Sequence, residues 1–169
     1  MVYQKPIGIL ASGNTLWNTW WQEYADAQAA EPDLHGVDLH QAQLGAIDFH
    51  SADLTEADLQ DADLRGADLR ATDLRHANLR GADLRDANLQ KARVRGADFR
   101  DAKLCCANLQ GVDLSHADVR GTDLSGANVQ KALLGQTPFE EAKAFTEDHN
   151  EHRKANIAGL TSVATHAAA

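Results

Sequence analysis

The chain is poor in the features that usually announce a function. It has two cysteines, Cys105 and Cys106, in 169 residues, and chain neighbours rarely close a sensible disulfide. They read as outward surface thiols, with an intermolecular bridge as the alternative, and no disulfide framework is available. Only nine residues are aromatic (three Trp, two Tyr, four Phe), so leucine and alanine must supply most of the core. No apolar stretch approaches the ~20 residues of a membrane span. Ile7 to Ala11 is too short a run for a signal-peptide core, so the expectation is a cytoplasmic protein with no membrane partner. No Walker or dinucleotide fingerprint is present. Ser51, Ser115 and Ser125 have no triad spacing, and His149 and His152 are a weak pair three residues apart. The expectation is a non-enzyme without metal or cofactor.

What is present is a pentad. Apolar centres fall every five residues from Leu34 to Phe139, 22 in all, without an insertion. Such self-similarity marks a solenoid. Five residues of α-helix advance about 500°, so the centres would wind around the axis and form no stripe. In a flat strand an odd spacing sends successive centres to opposite faces. A backbone that bends once per pentad keeps them together. Two residues before the centre, 15 of 22 positions are alanine, on the same side of a locally extended chain. The intervening position is Asp or Asn in 17 of 22 pentads, as in Asp53, Asp58, Asn78 and Asn108. It points outward, where a short Asx side chain supports a turn. Pairs such as Arg65-Gly66 and Arg95-Gly96 put glycine where a positive φ is needed.

The units ADLRG, TDLRH, ANLRG, ADLRD and ANLQG lie close to A-(D/N)-L-x-x, and the chain resembles the pentapeptide-repeat proteins over about two thirds of its length. That resemblance implies an all-β solenoid, a right-handed quadrilateral β-helix with one pentad per side and four per coil. Twenty-two pentads then make about 5.5 coils, or about 25 Å of rod. Conventional strands are expected to be sparse.

The open ends of such a stack invite association unless covered, so helical caps are expected at both. Three parts follow: residues 1–30 with a capping helix, the β-helix over 31–140, and a C-terminal helical cap and tail over 141–169. In the first, Asn14 or Thr15 can N-cap a helix reaching Gln28, with Trp17, Trp20, Trp21 and Tyr24 on one face. That face covers the first coil or meets a partner. Trp17-Asn18-Thr19-Trp20 resembles a W-N-x-W element that precedes the repeats in some bacterial members of the family. After the repeats, Thr137-Pro138-Phe139-Glu140 reads as a capping box. A second helix toward Val163 has Ile157, Leu160 and Val163 as its apolar positions. Two readings stay open there: a cap alone, or a cap that also makes a homodimer, as in some family members.

The formal charge of −9 conceals an axial pattern. Residues 31–63 hold nine acids and no Lys or Arg, residues 64–104 hold ten bases and six acids, and residues 105–141 hold five acids and two bases. With twenty residues per coil, Arg75 lies under Arg95, Arg80 under Arg100 and Arg120, and Arg65 under Arg85. The fourth column runs Arg70, Gln90, Gln110, Gln130, a candidate amide ladder. His35, His40 and His50 fall on three different sides and cannot share a metal. The arginines read either as a solvated face or as a girdle for a partner, since their forks match carboxylates and phosphates. Nucleic acid is a poor fit to an acidic chain without outward aromatics among its arginines. The expected function is a scaffold for an unidentified protein partner. The alternative is a DNA mimic that binds a type II topoisomerase (DNA gyrase), as quinolone-resistance members of the family do.

Overall fold

A computed structural model describes residues 6–11, 13–28 and 32–133 of the chain. The pentad governs everything from residue 32 onward. Parallel bridges join residues twenty apart, from Asp33 with Asp53 and Asp38 with Asp58 to Asn108 with Asn128 and Asp113 with Leu133. Four pentads therefore complete one coil, and the molecule is a four-sided β-helix. Each side is too short to be a strand; its ladder is a stack of single rungs. Leu34 N–H donates to the Asp53 carbonyl at 2.8 Å, and Asp53 N–H donates back to Pro32 at 2.9 Å. We number the sides by the centres of the first coil: side 1 at Leu34, side 2 at Leu39, side 3 at Leu44 and side 4 at Phe49.

The corners explain the period. The carbonyl of each centre accepts the N–H three residues on, as Leu54 does from Ala57 at 3.1 Å. The second residue after the centre then takes a positive φ, the signature of a type II turn. Twelve residues other than glycine adopt it, Gln41, Glu56 and Lys91 among them. Each bears a left-handed conformation that L-residues resist. The Asx side chain offsets part of that cost: Asp58 Oδ1 accepts the Gln60 N–H at 3.0 Å, and Asn108 Oδ1 the Gln110 N–H at 3.1 Å. The outward Asp or Asn is thus a turn-forming residue, as the sequence implies.

The shaft is filled by the centres and the residues two before them. Leu54, Leu59, Leu64 and Leu69 are fully buried with Ala52, Ala57, Ala62 and Ala67. Burying a leucine side chain is worth about 1.5–3 kcal/mol, so the stack is held by many repeated small gains. Two threonines replace alanine inside it. Thr72 Oγ1 donates to the Phe49 carbonyl and Thr122 Oγ1 to the Phe99 carbonyl, both at 2.8 Å.

Two helices precede the coils: α1, Pro6–Leu10, and α2, Asn14–Gln28. Helix α1 was not foreseen, because five residues are too few for a readable periodicity. Helix α2 begins at Asn14, but neither Asn14 nor Thr15 caps it. The Gly13 carbonyl accepts the Trp17 N–H at 3.1 Å, and the Asn14 amide donates to the Gly45 carbonyl of the first coil at 2.9 Å. That side chain is committed to the stack and unavailable as a cap. The expected C-terminal helices, with Ile157, Leu160, Val163, His149 and His152, lie outside the described residues, as do the last two pentad centres and the side chain of Tyr24.

Candidate interaction surface

The outer positions decide what this solenoid can meet, and the corner geometry decides how they are paired. The residue after each centre lies two positions from the outward Asx of its own pentad. An arginine there folds back onto that carboxylate. Arg65 Nε and Nη2 lie 2.8 and 2.5 Å from Asp63, and Arg85 Nε and Nη2 lie 2.8 and 2.7 Å from Asp83. Arg70 with Asp68, Arg75 with Asp73, Arg100 with Asp98 and Arg120 with Asp118 repeat the fork. The carboxylates respond as they should. The Arg65 hydrogen bond holds Asp63 below the usual range, and the Arg100 hydrogen bond does the same for Asp98. At Asp68 burial is the largest single influence and pushes upward, but the side-chain and backbone hydrogen bonds from Arg70 and its charge together outweigh it.

The arginine columns are therefore not a girdle of free cations. Of the seven candidate residues, Arg65, Arg75, Arg85, Arg100 and Arg120 are each closed on an aspartate of their own pentad. Arg80 differs because its pentad carries Asn78; its Nε stands 3.6 Å from Asp101 of the next coil. Arg95 differs more. Its pentad carries Arg93 in the Asx position, and Arg93 reaches down to Asp73 at 3.0 Å. The Arg95 backbone carbonyl accepts the His76 N–H at 3.1 Å, but among the described residues its guanidinium makes no hydrogen bond or ion pair.

The backbone is irregular at the same place. Among the described residues, Arg93 with Asp113 is the one rung of the series that does not form. Gly96 N–H donates to the His116 carbonyl at 3.0 Å, one residue beyond the Ser115 carbonyl that the pattern calls for. His116 is also the one described corner residue at its position without a positive φ. Sequence columns drawn through the residues after the centres miss this site. The signal was an arginine, Arg93, in a position that is Asp or Asn in 17 of 22 pentads.

Side 4 is chemically different. Asn128 donates to Asn108 at 3.1 Å, Asn108 donates to Asn88 at 3.2 Å, and Gln90 donates to Gln110 at 2.8 Å. The Gln90–Gln110 step belongs to the expected ladder; the asparagine ladder beside it was not anticipated.

At the N-terminal end, α2 side chains supply what a preceding coil would. Asn18 Oδ1 accepts the Asp48 N–H at 2.8 Å, while its amide donates to Ala46 at 3.0 Å. Trp17 is fully buried, donates to the Asp48 carbonyl at 2.6 Å and sits edge-on to Phe49 at 5.4 Å. Trp20 packs on Trp17 at 5.3 Å, and the buried Trp21 donates to His50 Nδ1 at 3.0 Å. His35 and His40 stay on sides 1 and 2, and no group of three or more metal-ligating side chains forms among the described residues. Cys105 and Cys106 are free thiols on a side 3 corner; burial raises the Cys105 thiol above its usual value. Among the described residues no helix is long and apolar enough to cross a membrane.

The family model for pentapeptide repeats matches in eight copies, over residues 33–70, 62–101 and 102–140. No curated protein matches the chain. Among solved structures it is similar to a pentapeptide repeat protein from the thylakoid lumen of Arabidopsis thaliana. That likeness is 33% identical with a TM-score of 0.47, over 56% of this chain and 63% of that one. It is also similar to the pentapeptide repeat protein Rfr23 of the cyanobacterium Cyanothece 51142, at 25% identity and a TM-score of 0.47. There the match covers 78% of this chain and 95% of that one. A third, QnrB1, a plasmid-mediated fluoroquinolone resistance protein, is 16% identical with a TM-score of 0.38, over 78% of this chain and 84% of that one.

Proposed function

The chain belongs to the pentapeptide-repeat family, and from that premise we propose that it is a non-enzymatic scaffold that binds a protein partner through its charged outer faces. The observation that carries this reading is the division of labour within each pentad. Inward positions from Phe49 to Val129 are buried and fill the shaft, and outward positions are set on a pitch of about 4.8 Å, the inter-strand spacing. A surface so regular suits recognition of an extended or repetitive partner. It offers no cleft between moving parts. In this proposal the family's right-handed coil runs to about five and a half turns, with α2 covering one end. The C-terminal residues, Ile157, Leu160 and Val163 among them, cover the other end or join two copies. The proposal places the protein in the cytoplasm of a bacterial cell. The test is capture of a partner from that cell by the full chain, with loss of capture when the outer charges are reversed. Turnover of a small molecule that vanished on a point substitution would refute the reading.

A second reading, a DNA mimic acting on DNA gyrase, is favoured by the acidic first coils. Asp33 and Asp53, and Asp38 and Asp58, stand above one another on two sides without a basic neighbour in residues 31–63. Duplex DNA carries one charge per ~1.7 Å along its axis, denser than these columns. Above them Asp63, Asp68, Asp73, Asp83, Asp98 and Asp118 are each covered by an arginine. The scaffold reading is therefore preferred. A supercoiling assay decides between them: a shift in gyrase activity at micromolar protein supports the mimic.

A further inference from the structure

We propose that side 1 of the fourth coil, at Lys91, Arg93 and Arg95 with Arg75 beneath, is a docking strip for an extended protein segment bearing Asp or Glu at alternate residues. The inference rests on the scaffold reading and names the face and the partner chemistry. Lys91, Arg93 and Arg95 are all exposed; Lys91 is the corner residue that leads from side 4 into side 1, and Arg93 and Arg95 follow at alternate positions of side 1. Elsewhere an arginine after a centre has a carboxylate or an amide two residues before it. Arg95 has Arg93 there, so its guanidinium is left without a carboxylate. Arg75 and Arg93 share one acid, Asp73. Asp113 stands above Arg93 and is held below the usual range chiefly by its hydrogen bonds from Ser115, with smaller help from His116 and Arg95. On coils three to five of this side, Arg75, Lys91, Arg93 and Arg95 thus face Asp73 and Asp113, a local surplus of cation on an acidic protein.

The spacing selects the ligand. Cations at alternate residues of an extended chain are about 6.5 Å apart, and so are carboxylates at alternate residues of an extended peptide. Two arginine forks can each take a carboxylate bidentately, which a lysine-only strip could not. A polynucleotide fits worse. Two and three coils below, the same side presents Asp53, Glu56 and Asp33, which a uniformly charged strand would meet. The described aromatics of the coils, Phe49 and Phe99, are fully buried and offer no base a surface for stacking.

The experiment is fluorescence anisotropy with the full chain and a labelled peptide of alternating Glu and Thr, at low and physiological salt. Oligothymidylate of equal charge and phosphatidylserine vesicles are the comparison probes. The proposal requires peptide binding that weakens with salt. It also requires a loss of about tenfold or more in the double variant Arg93→Asn, Arg95→Gln. Arg93→Asn restores the pentad pattern, and Arg95→Gln alone, at a residue with no partner to lose, guards against a folding artefact. Arg65→Gln with Arg85→Gln, each already closed on its own aspartate, should leave binding within about twofold. Absence of peptide binding at low salt would overturn the assignment. So would equal loss in both double variants, or tighter binding of oligothymidylate or vesicles. A native partner retained by the Arg93/Arg95 variant would refute this strip and leave the scaffold reading standing.

Discussion

Asn18 treats Asp48 as one strand treats another: its side-chain oxygen accepts the Asp48 N–H at 2.8 Å, although no coil lies on that side. Removing this mimicry should cost stability and expose an edge. Asn18→Ala leaves a backbone N–H without its acceptor and is expected to lower unfolding free energy by about 1–3 kcal/mol. Trp17→Ala, which also empties a buried site, should cost about 3–5 kcal/mol. Urea denaturation measures both. Light scattering on Asn18→Ala should show concentration-dependent association, since an uncovered ladder edge is a template for another.

The two buried threonines offer a sharper test of packing. The Phe49 carbonyl already accepts the Ala52 N–H at 2.9 Å, so the Thr72 hydroxyl is a second donor to a satisfied group. Thr72→Ala restores the usual residue of that position and should cost less than about 1 kcal/mol. Thr72→Val sets a methyl against the carbonyl oxygen and should cost about 1–3 kcal/mol. The order of the two unfolding midpoints checks this; equal midpoints would contradict it.

Corner glycines should divide by what lies above or below them. At Gly66, with φ of 64°, a Cβ would meet nothing within 4 Å. At Gly121, with φ of 70°, it would fall 2.5 Å from Asp101 Oδ1. Both substitutions to alanine bear the left-handed penalty of about 1–2 kcal/mol, and Gly121→Ala adds displacement of the Asp101 carboxylate. Thermal unfolding of the pair should therefore show the larger loss at Gly121.

Acid should loosen the rod in a defined direction. Asp63, Asp83, Asp98 and Asp118 are held low, in each case chiefly by the hydrogen bond from the arginine two residues on. A carboxylate whose folded value lies below its unfolded one contributes stability that is fully present above the unfolded value, about pH 4. That contribution is lost as pH falls through the folded value. Denaturation midpoints should hold from neutrality to about pH 5 and fall steadily toward about pH 2. In a variant with Arg65, Arg85, Arg100 and Arg120 changed to Gln, the fall should be shallower. An equal slope in both proteins would show that the pairs do not shape the acid limb.

The pentad was legible because inward and outward positions differ in kind, Leu and Ala against Asp and Asn. Residue type also located the turns, through the Asx position. It could not show that Gln41, Glu56 and Lys91 take positive φ, since none is a residue that prefers it; the stack imposes the angle on them. Nor could it show that the Asn14 and Asn18 side chains bond to the first coil, because that depends on where α2 lies. Of the two readings of the arginine columns, the same-pentad pairs fit the solvated face better than the girdle. Which aspartate each arginine closes on is decided two residues away in its own pentad. Arg93 was visible throughout as a departure from the pattern.

The central claim is that the chain returns above itself every twenty residues, and spin-label distances test it most directly. With Cys105 and Cys106 replaced by serine, labels would be placed in pairs on side 1: His35 with Thr55, with Arg75, with Arg95 and with Ser115. The account predicts separations that grow by about 4.8 Å per step, reaching about 19 Å at Ser115. Distances that fail to rise in even steps, or that grow as 1.5 Å per residue along a helix, would contradict it.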